Sequence, residues 1–240
     1  MSTNATSTST INRRPLLIAL TVVAILLATV LVGGEAYARH TVSNCISSQF
    51  EKEMGSKIDV SFGPKPMLIT WIDGKVPSVK VNSNDTKFGP AVGMVVHAVF
   101  HDVDVDDSNG TVINSSSADV TWSNEGIKET LGGMVSSVSS SASSGMLTLS
   151  VLGGLAELQL KPQIVNGAVQ VETMSAELLG IGLPSDLVQS IVDIFTESLQ
   201  SYPLGMTATK LEVTDSGVAV QLAGGRTQLE PATNSSDARC

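Results

Sequence analysis

The chain has 240 residues, with 14 Lys and Arg against 23 Asp and Glu, a formal net charge of −9, and two cysteines. An acidic balance of this size argues against nucleic acid as a partner and against electrostatic docking on anionic lipid. Once the two ends are set aside, about 200 residues remain, enough for one domain with a sizeable core.

The first ten residues are almost all Ser, Thr and Asn, without hydrophobic periodicity, so residues 1–14 read as a disordered cytoplasmic n-region. Arg13 and Arg14 precede an apolar run from Leu16 to Val32, interrupted only by Thr21 and Thr29. Two arginines ahead of such a run hold that end in the cytoplasm, and a buried core helix has no use for that flank. The run is longer than a typical signal-peptide core and at the short limit of a spanning helix. Gly33-Gly34 reads as a helix-breaking pair, and Ala36-Tyr37-Ala38 offers small residues at signal-peptidase spacing.

Residues 15–38 are therefore a signal peptide or a transmembrane anchor, and both readings stay open. Either one exports the rest to the periplasmic, cell-envelope side of the cytoplasmic membrane, anchored by residues 15–32 or released after Ala38. Without residues 1–38 the chain keeps 12 basic and 22 acidic residues, a net charge of −10. Any partnership with the cytoplasmic membrane then rests on apolar contact or on the N-terminal segment.

The domain is expected over residues 39–226, with residues 227–240 as a flexible tail. Val42, Ile46, Phe50 and Met54 recur every four residues and predict a helix from Arg39 to Met54. Cys45 lies on it. In an oxidising compartment Cys45 and Cys240 can form a staple from the first exported helix to the last residue, with two free thiols as the alternative. The period then changes. Ile58 to Phe62 alternates as a strand and meets Gly63-Pro64; Met67 to Ile72 is an apolar run closed by the turn signal Asp73-Gly74.

Val92 to Val105 reads as one long strand, apolar on both faces up to Phe100 and then alternating Val103 and Val105 against Asp102, Asp104 and Asp106. Residues 111–113 and 118–122 suggest a further strand. Ser123-Asn124-Glu125 starts a short helix that Gly132-Gly133 stops. The Ser-rich stretch 136–144 leads through Ser143-Ser144-Gly145 into a strand from Met146, and Asn166-Gly167 is a strong hairpin signal. Pro184-Ser185-Asp186 opens a second long helix with Ile191 and Phe195 on its apolar arc. Two closing strands flank Thr214-Asp215-Ser216-Gly217. Sequential hairpins plus two long helices indicate an α+β fold with a curved, mainly antiparallel sheet packed on the helices.

Catalysis finds little support. On a strand, His97 and His101 stand about 13 Å apart, too far for one metal ion. The acids from Asp102 onward lack the glycine and glutamate that a calcium loop needs at its sixth and twelfth positions. No nucleophile elbow, P-loop or dinucleotide fingerprint occurs, so no catalytic residue, metal or cofactor is nominated.

What remains is apolar surface. Phe62, Met67, Leu68, Ile69 and Trp71 are close in sequence; Val95, Val99 and Phe100 come from the doubly apolar strand; Ile191 and Phe195 come from the last helix. Each alone reads as core. Together with the membrane address, they point to a cavity for an apolar ligand.

Several segments carry a family likeness: the N-terminal apolar segment leading into a helix, Ile58 to Gly63 followed by Pro66 to Thr70 and Asp73-Gly74, and Leu160-Lys161-Pro162 with Asn166-Gly167. Near the end stand Tyr202 to Met206, Val213 to Val218 and Leu222 to Gly225. In this order and spacing the chain resembles the LmeA-type phospholipid-binding family of actinobacterial cell-envelope proteins, over roughly residues 36–226. It departs at Met67, where an aromatic residue is usual, and in its Ser-rich stretch.

The resemblance implies a tubular lipid-binding-like fold, with a highly curved antiparallel sheet against long helices, and a phospholipid or other acyl lipid bound in the groove between them. It also implies a link to envelope mannolipid assembly, and it carries over no catalytic residue. The alternatives are an envelope enzyme acting on lipid-linked sugars, whose acids meet only in the fold, and a noncatalytic envelope scaffold. Neither head-group preference nor oligomeric state is encoded in a recognisable motif.

Overall fold

The computed structural model describes residues 13–54, 57–88, 91–106, 110–178, 181–200 and 203–229. The expected n-region up to residue 12, the tail from residue 230 and Cys240 lie outside them. Helix α1 (Arg13–Met54) runs unbroken for 42 residues, so Gly33-Gly34 does not end a helix. A side chain at either glycine would meet nothing within 4 Å. A glycine pair costs a helix about 2 kcal/mol in propensity, and the apolar stretch before it and the periodic stretch after it outweigh that. The boundary expected at residue 38 therefore falls inside one continuous element.

Strand β1 (Asp59–Phe62) is followed by a helix, α2 (Met67–Asp73). Pro66 precedes its first residue and Gly74 closes it with φ 66°, so the turn signal at Asp73-Gly74 is a helix stop. The strands β2 (Lys75–Phe88), β3 (Ala91–Asp106) and β4 (Gly110–Ser123) follow as a long antiparallel meander. Helix α3 (Asn124–Leu131) then starts on Ser123, whose hydroxyl accepts the Gly126 N–H at 3.0 Å, and stops at Gly132 as expected.

A second antiparallel sheet is built from β5 (Val135–Ser141), β6 (Met146–Val151), β7 (Ala156–Val165), β8 (Ala168–Leu178) and β9 (Ile181–Gly182). The Ser-rich stretch is its edge strand, and Asn166-Gly167 turns β7 into β8 with both residues at positive φ. Helix α4 (Ser185–Gln200) leads back to the first sheet, where β10 (Thr207–Thr214), β11 (Gly217–Gly224) and β12 (Thr227–Leu229) complete the order β1-β2-β3-β4-β11-β10, with β12 also on β4. Thr227–Leu229 is thus a paired strand where a loose tail was expected. The single sheet of the sequence reading is two sheets of seven and five strands. Among the described residues α1 is the one long helix; α4 has 16 residues.

The main core lies between the two sheets and under α3 and α4. It gathers Met94 and Ala98 from β3, Trp122 from β4, Leu147, Leu149 and Leu158 from the second sheet, Ile191 and Phe195 from α4, and Val218 and Val220 from β11. The Ala208 N–H donates to the Gly167 carbonyl at 2.7 Å, and the Gln200 side chain donates to the Val169 carbonyl at 2.7 Å, tying the sheets and α4 together. A smaller cluster of Val76, Val103 and Ile113 lies farther along β2, β3 and β4.

Between the two clusters the inward-facing positions change phase. Val79, Phe100 and Ser116 stand opposite one another, and the next inward set is Val76, Val103 and Ile113, so two residues separate them on each strand instead of one. Asp102 sits at this line with φ 48°, opposite Pro77, and the Asn114 amide donates to its carbonyl at 3.1 Å. A left-handed backbone suits Asp better than a β-branched residue, and Pro77 asks for no partner on its missing N–H.

Helix α1 lies along the edge strand β1. The Ser43 and Ser47 hydroxyls donate to the Val60 and Ile58 carbonyls, so the helix supplies donors to an edge that no described strand covers.

Candidate lipid-binding site

The candidate residues fall into three groups. Ile191 and Phe195 are fully buried on the inner face of α4, where the Phe195 ring lies 5.2 Å from that of Trp122 at 31°. Trp122 donates its indole N–H to the Val92 carbonyl at 2.9 Å, so this large side chain is satisfied without water. Phe100 is half-buried and packs against both clusters, and Phe62 packs against the smaller one. These four residues therefore belong to one connected apolar interior.

Along the inner face of the first sheet, Val81, Val96 and Val120 also point inward yet remain only half-buried. With Val79 and Phe100 they form an apolar band that the chain's own side chains cover incompletely. The sequence reading missed Val81 and Val120 because each is an ordinary strand valine, and only the pairing of β2 with β3 and β4 puts them beside Phe100 and Val96.

Val95 and Val99 occupy the opposite face of β3. They are half-buried there among Thr121, Ser117 and Lys80, with His97 and His101 exposed beside them. The His97 ring nitrogen Nδ1 is 2.9 Å from Asn82 Oδ1. The doubly apolar stretch is thus covered on one face only, and its other face is a polar outer surface.

Met67, Leu68, Ile69 and Trp71 form the third group, on α2. Met67 is half-buried, whereas Leu68, Ile69 and Trp71 point out of the protein. Here the structure separates residues that the sequence placed with the interior. α2 is held against α1 by polar contacts. Both Glu35 carboxylate oxygens accept the Met67 N–H at 2.8 Å, and Glu35 pairs with Arg39 at 2.6 Å. The Arg39 guanidinium donates to the carbonyls of Phe62, Gly63 and Lys65. Lys65 bridges to the Asp73 carboxylate and to the Lys75 carbonyl. That ammonium, with the Lys75 N–H, holds the Asp73 carboxyl below the usual carboxylate range.

A depression of about 680 Å³ lies between α4 and β8, lined by Gln170, Val171, Val192, Asp193, Thr196, Glu197 and Gln200. Two valines among amides and acids do not suit an acyl chain.

A sequence model of the LmeA-like phospholipid-binding family matches residues 29–223. The chain belongs to this family. The match spans the last turn of the apolar run, the rest of α1, the second sheet, α4 and the first sheet except β12 and the last residue of β11. Uncharacterized proteins of Mycobacterium tuberculosis and Mycobacterium bovis are 29% identical over 199 residues, which is 78% of this chain. The chain spans 57% of the length of these relatives. No solved structure matches. Family membership supports a lipid-binding role. Among the described residues one helix is long and apolar enough to cross a membrane, Thr21–Ser48, and none of its apolar window is buried in the fold.

Proposed function

We propose that this protein is an exported, membrane-anchored, noncatalytic phospholipid-binding protein of the cell envelope, which holds acyl chains against the half-buried band of Val79, Val81, Val96, Phe100 and Val120. The observation that carries this reading is an inward apolar surface left partly uncovered in a member of a phospholipid-binding family. Each methylene buried there contributes about 0.8 kcal/mol, so a single chain of a dozen carbons is ample to retain a lipid. The tubular arrangement of the groove, and support of mannolipid assembly, belong to the same reading.

Retention of the anchor is favoured over cleavage after Ala38. Glu35 and Arg39 lie on either side of that bond, and both hold the loop and helix from Phe62 to Met67. Cleavage would remove Glu35 and leave Arg39 at a chain end, and signal peptidase acts on extended chain, whereas these residues are helical.

The test is native mass spectrometry of the full chain released from detergent, against Val96→Trp, in which an indole fills the band. The native chain is expected to retain about one phospholipid, consistent with the acyl-chain contribution above, and the variant several-fold less. Equal retention by both places the lipid elsewhere, and a lipid-free native chain sinks the reading.

A further inference from the structure

Helix α2 carries four large apolar side chains that the described protein leaves exposed, two of them almost fully: Leu68 is 44% exposed, Ile69 48%, Trp71 90% and Ile72 88%. At about 100° per residue they sweep one continuous arc, and half-buried Met67 and Thr70 take the opposite side. Exposed apolar residues scattered singly are ordinary, but four on a seven-residue helix, one of them Trp, form a patch.

The position of that patch relative to α1 identifies what covers it. Between Arg14 and Glu35 lie 20 residues without a charge. As α-helix they measure about 30 Å, the thickness of a bilayer's hydrocarbon core. With Arg14 at one boundary, Glu35 stands at the other, and Glu35 accepts the first N–H of α2 at 2.8 Å. α2 therefore begins at the height where the span leaves the hydrocarbon.

Tyr37 is 74% exposed and stands at the same height, where Trp and Tyr side chains concentrate. The nearby charges are neutralised in pairs, Glu35 with Arg39 and Lys65 with Asp73, each at 2.6 Å. A neutralised apolar helix beside a span suits a lipid surface, even though the domain as a whole is acidic.

We infer that α2 inserts its Leu68–Ile72 face into the outer leaflet of the bilayer that α1 crosses, giving the domain a second attachment beside its anchor. The inference rests on the anchored part of the reading above and is independent of lipid held in the interior. The attachment fixes the rotation of the domain about α1, because the patch faces the bilayer in one orientation only.

The experiment uses the full chain in discs of phosphatidylcholine with brominated acyl chains, compared with unbrominated discs. The described chain has Trp71 at the surface and Trp122 in the core, so Trp71→Phe isolates the Trp122 signal, and the difference isolates Trp71. Trp71 makes almost no packing contact, and its replacement leaves the fold intact. The Trp71 component is expected to lose at least half its emission in brominated discs and to become several-fold less accessible to acrylamide than a free tryptophan amide.

Full acrylamide access without bromine quenching overturns the inference. Protection without bromine quenching also overturns it, since a second protein copy would then cover α2. A chain that does not enter discs overturns the anchor and the placement of α2 with it. Quenching of Trp122 in the Trp71→Phe variant reports lipid inside the domain, so failure of interior binding and failure of α2 insertion give different results.

Discussion

Replacing Phe195 by Ala tests whether α4 is seated as a structural part of the interior. Phe195 is fully buried, its ring lies 5.2 Å from Trp122, and Ile191 and Leu199 flank it one turn away on the same buried face. Truncation removes a whole ring from a closed site, which costs about 3–5 kcal/mol including the cavity left behind. That is a large part of the roughly 5–15 kcal/mol that holds a domain together. At about 2–4 °C per kcal/mol for a domain of this size, the midpoint should fall by about 6–20 °C.

Val192, half-buried on the same helix, provides the contrast. Val192→Ala should cost about 1 kcal/mol. Thermal unfolding of the full chain in one detergent, followed by Trp122 emission in a Trp71→Phe background, measures both. Small and equal losses would refute the reasoning. They would mean that α4 does not bury this face and that the space beneath it is open.

The Lys65–Asp73 tie sets a pH dependence for α2. Asp73 is held below the usual carboxylate range, so its stabilising contribution is present above the unfolded-chain value of about 3.9 and is lost as pH falls through the lower folded value. The stability difference between the native chain and Asp73→Asn, measured by urea unfolding, should therefore be constant from neutral pH down to that range and close below it; a difference unchanged in strong acid contradicts the assignment. Cys45 and Cys240 are expected to pair, so peptide mapping without reductant should yield them as one linked species, and reduction should lower stability by about 2–4 kcal/mol. Two titratable thiols in the denatured, unreduced chain would show the free-thiol alternative instead.

The hairpins were legible because turn chemistry is local. Asn166-Gly167 and Thr214 to Gly217 announce their conformations within four residues, and Gly217 also accepts a constraint from afar, since a side chain there would sit on the Trp122 carbonyl. The α3 boundaries were legible for the same reason, through Ser123 and Gly132. The continuity of α1 was not, because Gly33-Gly34 signals a break by propensity while the helix is maintained by its long flanks and its contacts with β1 and Arg39's carbonyl partners. The division of the candidate site was not legible either. Met67 to Ile72 has the same composition whether it faces a core or solvent, and the side it presents depends on Glu35 and Arg39 holding its first residue and the preceding loop from more than 20 residues away. On β3, the exposure of one face follows from the polar residues that β2 and β4 place beside it, which no local pattern in β3 reports.

These placements bear on how an acidic domain would work at a membrane under the proposed anchoring. With a net charge of −10 beyond residue 38, attraction to anionic head groups is absent, so contact with the bilayer has to be apolar or covalent with the anchor. In the proposed arrangement α1 is the anchor and α2 the apolar contact, and the Phe62 to Gly74 segment that contains α2 also joins the interior. Phe62, five residues before α2, packs on the cluster of Val76, Val103 and Ile113, and Phe100 connects that cluster to the main core. The apolar interior therefore has one end adjoining the segment that carries the exposed helix and the other beneath α4. In the anchored arrangement, the end near Phe62 is the end held against the membrane, so an acyl chain leaving the outer leaflet meets Phe62 and the smaller cluster before it meets Trp122 and Phe195. An anchor that fixes the domain's height and a helix that fixes its rotation together keep that end facing lipid, which a tether alone would leave free to turn away.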